Sequence, residues 1–341
     1  MKNLKRKISE FEYWPAWIFY APFVPYWIWK SIQSLSFSYF CKVNPGVEFG
    51  GFLNYSKFEI LNQIPEKFKP ETHFIKNKSH IKKILPNEEL DGAFPFIVKP
   101  DFGERGRNVE LIKNETDWEN YPLNKDLIIQ EFIDFPLEFG VFYAKMPNEN
   151  SGKIISITGK EFLTYRSDGR TPLRKFIENH PRTKRRKGYL NEKFKNQLDE
   201  IPKKNEKILL ELIGNHNRGT RFYDASELIS KKLSDRIDEI SKQISGFYYG
   251  RFDVKANSAK EFQNGEFKVL EVNGANSEPT HIYDSKYTLT EAYKEVKKHF
   301  DIQYRIARQN PKTYSSIRFY RSVMEHIFKL TGKNGRFLPM E

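Results

Sequence analysis

The sequence predicts an α+β fold of two lobes, and three observations support it. The chain has 341 residues, room for two domains of ordinary size or one bilobal one. Its middle alternates short apolar runs of strand length with stretches of helical periodicity. Its two ends read as helical.

Four regions follow in order. Residues 1–43 form a basic and aromatic leader. After Lys2, Lys5, Arg6 and Lys7 comes an uncharged stretch with Tyr13, Trp14, Trp17, Phe19, Tyr20, Phe23, Tyr26, Trp27 and Trp29. Pro15, Pro22 and Pro25 and the absence of a small-residue cleavage site argue against a signal peptide, and the stretch is too short and too broken to span a bilayer. From Trp27 onward Ile28, Ile32, Leu35 and Tyr39 recur at helical steps. Residues 44–128 open with a glycine-containing loop, Asn44 to Gly51, then a helix near Lys57 to Gln63 and a strand from Phe94 to Lys99. Residues 129–300 carry further strands: 127–130 at the boundary, 139–143, 153–158, 248–254 and 267–272, with a helix around Asp235 to Ile244. Residues 301–341 are basic, with a helix from Ser315 to Leu330 whose expected apolar face holds Ile317, Tyr320, Val323, Ile327 and Leu330. Pro181 to Lys187, rich in Lys and Arg, reads as an exposed loop.

Composition narrows the partners. Hydrophobic residues at 38% and charged residues at 30% suit a folded, water-soluble chain. The 57 Lys and Arg against 44 Asp and Glu leave a formal +13, which favours polyanions: nucleotide phosphates, nucleic acid or an anionic lipid surface. No recognised nucleic-acid motif is present and the basic residues are scattered, so nucleic acid is not the expected partner. Cys41 is the sole cysteine, so no intrachain disulfide can form and the reducing cytosol is the expected compartment.

Three strand-end motifs carry candidate chemistry. The run Phe96 to Val109 delivers Lys99 from an apolar strand into a loop with Gly103, Arg105, Gly106 and Arg107. An ammonium and approachable backbone N–H groups suit a phosphate, although a surface hairpin would read the same way. Glu131 and Glu138 flank the bend at Pro136 and could accept hydrogen bonds from a ribose diol; two solvated glutamates at a hinge are the alternative. In Gly250 to Val254, Arg251 and Asp253 share one strand face, and in Lys268 to Gly274 so do Glu271 and Asn273. Antiparallel pairing would gather Asp253, Glu271 and Asn273 as hard oxygen donors, a set that selects Mg²⁺ or Mn²⁺. A salt-bridged strand pair facing water is the alternative.

Taken together, these motifs resemble the nucleotide and metal site of ATP-grasp enzymes, most plainly the D-alanine–D-alanine ligase-like branch. The resemblance covers about residues 50–280. It implies the ATP-grasp fold, two α+β lobes clasping ATP. Ser56-Lys57 and Lys99 match the two phosphate-binding lysines, Glu131 the adenine contact and Glu138 the ribose contact. Arg251 matches the arginine facing the transferred phosphoryl group, and Asp253, Glu271 and Asn273 match the metal ligands. Arg105 and Gly106 fall in the phosphate loop, and Lys160 and Arg166 are expected as a lid over the γ-phosphate or acyl group. The implied activity is a carboxylate–amine ligase acting through an acyl phosphate, releasing ADP and phosphate. A kinase acting on a hydroxyl, or a nucleotide-binding relative without chemistry, is the rival. The departures concern substrate: only 56 residues precede Lys57, and the aromatic leader stands where a complete α/β domain is usual. The leader could pack on the lobes or meet an anionic membrane from its inner face, and in the second case the carboxylate substrate would be lipid-linked. An oligomer is compatible with all of this.

Overall fold

The computed structural model describes residues 11–76, 94–103, 106, 108–121, 125–212, 214, 218–310 and 316–331. Its helices, in chain order, are α1 (Ala16–Tyr20), α2 (Val24–Gln33), α3 (Lys57–Leu61), α4 (Glu115–Asn120), α5 (Leu173–Asn179), α6 (Lys187–Lys193), α7 (Lys231–Gln243), α8 (Ala259–Gln263), α9 (Leu289–Gln309) and α10 (Ser316–Thr331). The strands are β1 (Thr72–Ile75), β2 (Phe96–Pro100), β3 (Glu110–Ile112), β4 (Leu127–Glu131), β5 (Leu137–Ala144), β6 (Lys153–Glu161), β7 (Thr164–Arg166), β8 (Lys207–Leu209), β9 (Arg221–Asp224), β10 (Tyr249–Ala256) and β11 (Lys268–Asn273). The fold is α+β, with two antiparallel sheets. The smaller runs β1-β4-β2-β3 and the larger β11-β10-β5-β6-β9, while β7 and β8 form a separate ribbon.

Each sheet has its own core. Val98, Ile129, Ile112 and Trp118 close one face of the small sheet. On the large sheet, Val141, Phe252, Val254 and Val272 meet Ile237 and Ile240 of α7, whose apolar residues recur on one side of the helix. Ile60, Leu61 and Ile64 join this second core. The segment around α3 therefore packs on the large lobe, although it precedes the small sheet in sequence. The expected lobe boundaries shift accordingly: β4 pairs between β1 and β2 and stays with the small sheet through Glu131 rather than ending at 128.

The docking of this segment leaves no room for side chains. Gly51 has φ +74°, and a Cβ there would lie 2.7 Å from the Gly274 Cα; a Cβ on Gly274 would lie 2.6 Å from the Gly51 Cα. Both residues must be glycine for the backbones to touch directly after Asn273. Asn44 secures the same junction, donating to the carbonyls of Gly50 and Tyr249 and accepting from the N–H of Tyr248 and Tyr249.

Three expectations need correction. The leader helix ends at Gln33, because Leu35 takes φ +49° and turns the chain, so Tyr39 lies in a separate short 3-10 turn. Pro181–Arg186 is a 3-10 helix rather than a free loop: the Thr183 hydroxyl is buried and donates to the carbonyls of Ile177 and His180, and Arg182 pairs with Glu12. On α10 the buried residue is Phe319, packed on Phe40 and Phe49, while Tyr320 is exposed; the side chains of Ile317, Ile327 and Leu330 lie outside the described residues.

Candidate active site

The two sheets meet over a cavity of about 2430 Å³ lined by residues of both, Lys57, Lys99, Lys160, Arg251, Asp253 and Glu271 among them. Lys57 opens α3, where the Ser56 side chain caps the helix by accepting from the Glu59 N–H. Lys99 lies near the end of β2. Asp101 joins the two: its Oδ1 accepts from the Ser56 hydroxyl at 2.9 Å and the Phe58 N–H at 2.8 Å. One buried carboxylate thus ties the start of α3 to the end of β2 and holds the two lysines beside each other in the cleft. The sequence reading missed Asp101, although it stands two residues after Lys99.

Both lysines point at the large sheet. Lys57 Nζ lies 2.7 Å from Glu271 Oε1. Lys99 Nζ donates to Gln130 Oε1 at 3.0 Å and, across the cleft, to the Leu270 carbonyl at 2.8 Å. That carbonyl is free because Asp253 pairs with Glu271 and Val254 with Val269, leaving Leu270 as the extra residue of a β-bulge.

The oxygen donors converge as the strand spacing implies. Asp253 and Glu271 are directly opposite on β10 and β11, and Arg251 is opposite Asn273. Arg251 reaches Asp253 through Nε at 3.0 Å and a second guanidinium nitrogen at 3.1 Å, and Asn273 donates to Asp253 at 3.2 Å. Gly140, beside Asp253 on β5, clears the space: a Cβ there would lie 3.0 Å from Arg251 Cδ. Tyr55 donates to Asn273 Oδ1 at 3.3 Å. Lys160 sits opposite Glu138 and contacts it at 2.7 Å and Asp253 at 3.3 Å.

Charge balance follows from these contacts. Burial alone would raise the Asp253 carboxyl, but Arg251 and Lys160 bring it down to about 2. Burial likewise opposes ionisation of Glu271, and Lys57 and Lys99 outweigh it, so its value falls. For Lys99 burial wins: its ammonium drops to about 8, with Lys57 assisting and Glu271 opposing. Lys160 is raised, because Asp253 and Glu138 outweigh its burial.

The remaining expected residues are placed as follows. Glu131 lines the cavity at the exposed end of β4, its carboxylate accepting from the Glu71 N–H. Gly106 lines it too, with φ +67° and its carbonyl accepting from Arg218. Arg105 lies outside the described residues. Lys160 is a partly buried residue of the larger sheet and not part of a lid. Arg166 is exposed on the β7–β8 ribbon, paired in register with Lys207, and does not line the cavity. A three-residue strand on a separate ribbon carries it away.

A second group went unread in the sequence. Arg251 also donates to the Glu278 carbonyl, while the Glu278 carboxylate accepts from Tyr20 at 2.7 Å and Tyr283 at 2.8 Å. The leader therefore reaches the arginine's immediate surroundings, a contact spanning most of the chain that no local pattern announces.

A hard divalent cation fits the donor chemistry. Asp253, Glu271 and Asn273 would coordinate through oxygen, the Asn273 amide here turning its nitrogen to Asp253 and its oxygen to Tyr55. Among the described residues no group of three or more His, Cys, Asp or Glu side chains is placed to hold a metal, so two carboxylates and one amide are the donors available.

No family model and no curated protein matches the chain. Among solved structures it is similar to a bifunctional glutathione synthetase from Pasteurella multocida, at 14% identity and TM-score 0.38, over 71% of this chain and 36% of that one. It is also similar to a D-alanine–D-alanine ligase from Bacillus anthracis, at 13% identity and TM-score 0.37, over 76% and 64%. A third is VanG D-Ala:D-Ser ligase from Enterococcus faecalis, at 12% identity and TM-score 0.37, over 69% and 58%. The chain thus spans between about a third and two thirds of these proteins' lengths.

Proposed function

We propose that this chain is an ATP- and Mg²⁺-dependent ligase that joins a carboxylate to an amine through an acyl phosphate, releasing ADP and phosphate. The observation that carries the reading is the convergence of Lys57 and Lys99 on Glu271 and the Leu270 carbonyl, beside Asp253, Asn273 and Arg251. In this reading Lys57 and Lys99 bind nucleotide phosphates, and Glu131 and Glu138 take the adenine and ribose. Arg251 faces the phosphoryl group in transit. The substrate carboxylate oxygen attacks the γ-phosphorus and ADP leaves; the amine then attacks the acyl carbon and phosphate leaves. Rate acceleration of this kind comes from positioning and from neutralising moving negative charge. Asp253, Glu271 and Asn273 would hold magnesium, which supplies Lewis-acid charge neutralisation at the phosphates. The cavity continues along Leu53, Phe40, Phe52, Trp27 and Trp14, so the acid carries an apolar portion and is lipid-linked.

Incubating the protein with ATP, Mg²⁺ and lipid or metabolite extract is expected to release ADP and free phosphate in equal amounts, with a condensed product visible by mass spectrometry. ADP with a stable phosphorylated product and no free phosphate would turn the reading to a kinase.

Lys99 gives a pH test. Its folded value, about 8, lies below the ordinary lysine value of about 10.4. Between those values the folded chain binds fewer protons than the unfolded one, so the unliganded protein gains stability as pH rises through that window. Phosphate attraction runs the other way: it is full below pH 8 and fades above it. ATP affinity by calorimetry is expected to fall from pH 7 to pH 9, and Lys99→Met should remove that fall. An unchanged profile in the variant would show that another group is responsible.

A further inference from the structure

The helix α2 is inside out. Its polar side faces the protein: Tyr26 donates to Asp301, Lys30 pairs with the same carboxylate, and Ser31 is buried. Its apolar side faces away: Ile28, Trp29 and Ile32 are exposed at 40%, 50% and 60%, followed by Leu35 at 94% and Phe37 at 50%. Trp17, Ile18 and Val24 extend the same exposed surface along α1 and the start of α2. Helices on folded proteins ordinarily show the opposite arrangement. The leader is nonetheless firmly held, because Phe11, Phe19 and Phe23 pack on Ile282, Ala292 and Val296. The outward apolar side is thus presented by an anchored element.

We propose that this face seats the protein on an anionic lipid bilayer, with α1 and α2 lying in the plane of the interface. Three features select that occupant. Tryptophan and large aliphatic side chains on one helix side suit the boundary between headgroups and acyl chains. From Tyr13 to Val47 the chain has no acidic residue, and Asp301, the carboxylate set against α2, is paired with Lys30 and Lys297. Basic side chains of α9 border the leader: Lys297 lies over the Tyr26 ring, and Arg308 over Tyr304, which also carries Lys30. The overall +13 works against a second copy of the chain on this face and in favour of a negatively charged partner. No helix among the described residues is long and apolar enough to cross a membrane, and interfacial seating needs none. Trp17, Val24 and Phe37 also line the cavity, so its apolar end opens where the bilayer would lie.

The test uses the full chain without nucleotide, so it stands whatever becomes of the ligase reading. Co-sedimentation is measured with vesicles of phosphatidylcholine alone and with vesicles containing phosphatidylglycerol, at low and high salt. Wild type is expected to pellet with the anionic vesicles and to weaken in salt. Ile32→Glu/Leu35→Glu and Trp29→Ala, none of them cavity residues, are each expected to lower the partition by at least about tenfold. Thermal melts of the variants should match wild type, which separates loss of docking from loss of fold. Wild type left in the supernatant with anionic vesicles overturns the proposal. So does equal pelleting of wild type and variants, or a lipid-free dimer by light scattering that the same substitutions dissolve.

Discussion

Glu271→Ala is expected to lower turnover by about a thousandfold while the protein stays folded. The carboxylate faces the cleft from edge strand β11, and its hydrogen-bonding partner is Lys57 at 2.7 Å. It fills no core position, so its removal opens no cavity among apolar side chains. What disappears is one of two ionised oxygen donors that stand opposite each other across β10 and β11. Preorganised groups acting on charge that develops during reaction are worth about 100- to 1000-fold each, and here Lys57 is left misoriented as well. Phosphate release under saturating ATP and Mg²⁺, beside a circular dichroism melt, decides the matter. A folded variant that keeps more than about a tenth of wild-type turnover would dismiss Glu271 as a ligand.

Asp253→Asn is expected to cost stability as well as activity. The amide matches the carboxylate in shape, so packing is conserved and the loss is one of charge. Arg251 and Lys160 are both partly buried and both pair with Asp253, from which they stand 3.0 Å and 3.3 Å away. Removing one partner of a buried ionic cluster typically costs about 3–5 kcal/mol, because the remaining charges are stranded in a poorly solvating interior. Glu138 still pairs with Lys160 at 2.7 Å, which places the effect toward the lower figure. Urea unfolding measures it, and a loss below about 1 kcal/mol would mean that water already solvates the cluster. The acid limb offers a second readout. With the Asp253 carboxyl held down to about 2, its contribution is complete above the ordinary carboxylate range and disappears as pH falls toward 2. In the amide variant that part of the acid transition should vanish.

The sequence exposed the site in proportion to how local its rules are. Arg251 and Asp253, or Glu271 and Asn273, share a side because strand residues alternate, and nothing distant was required to see it. Lys99 was legible as a lysine ending an apolar run. Asp101 was not, because its role lies in reaching the cap of α3, and Ser56 stands 45 residues away. Tyr20 and Glu278, separated by 258 residues, were further out of reach. The orientation of α2 was left open for another reason. Helical spacing of Ile28 and Ile32 finds the apolar side correctly, yet it does not say whether protein or surroundings will cover that side. Arg166 was misplaced because residues between β6 and β8 leave the main sheet, which a segment-by-segment reading does not reveal.

The extra residue at Leu270 has a consequence for how β11 tolerates change. Val269 and Val272 are both buried although three positions apart, an interval that a regular strand forbids. The parity of the strand flips at Leu270. Upstream and downstream halves can then each turn a valine inward, while the Glu271 carboxylate and the liberated carbonyl look the same way. Exchanging one side chain there is a modest perturbation. Deleting Leu270 would restore strict alternation with Val269 and Val272 still inward and Glu271 still opposite Asp253, yet it would remove the carbonyl that Lys99 reaches across the cleft. Length, rather than identity, is the property this strand must keep.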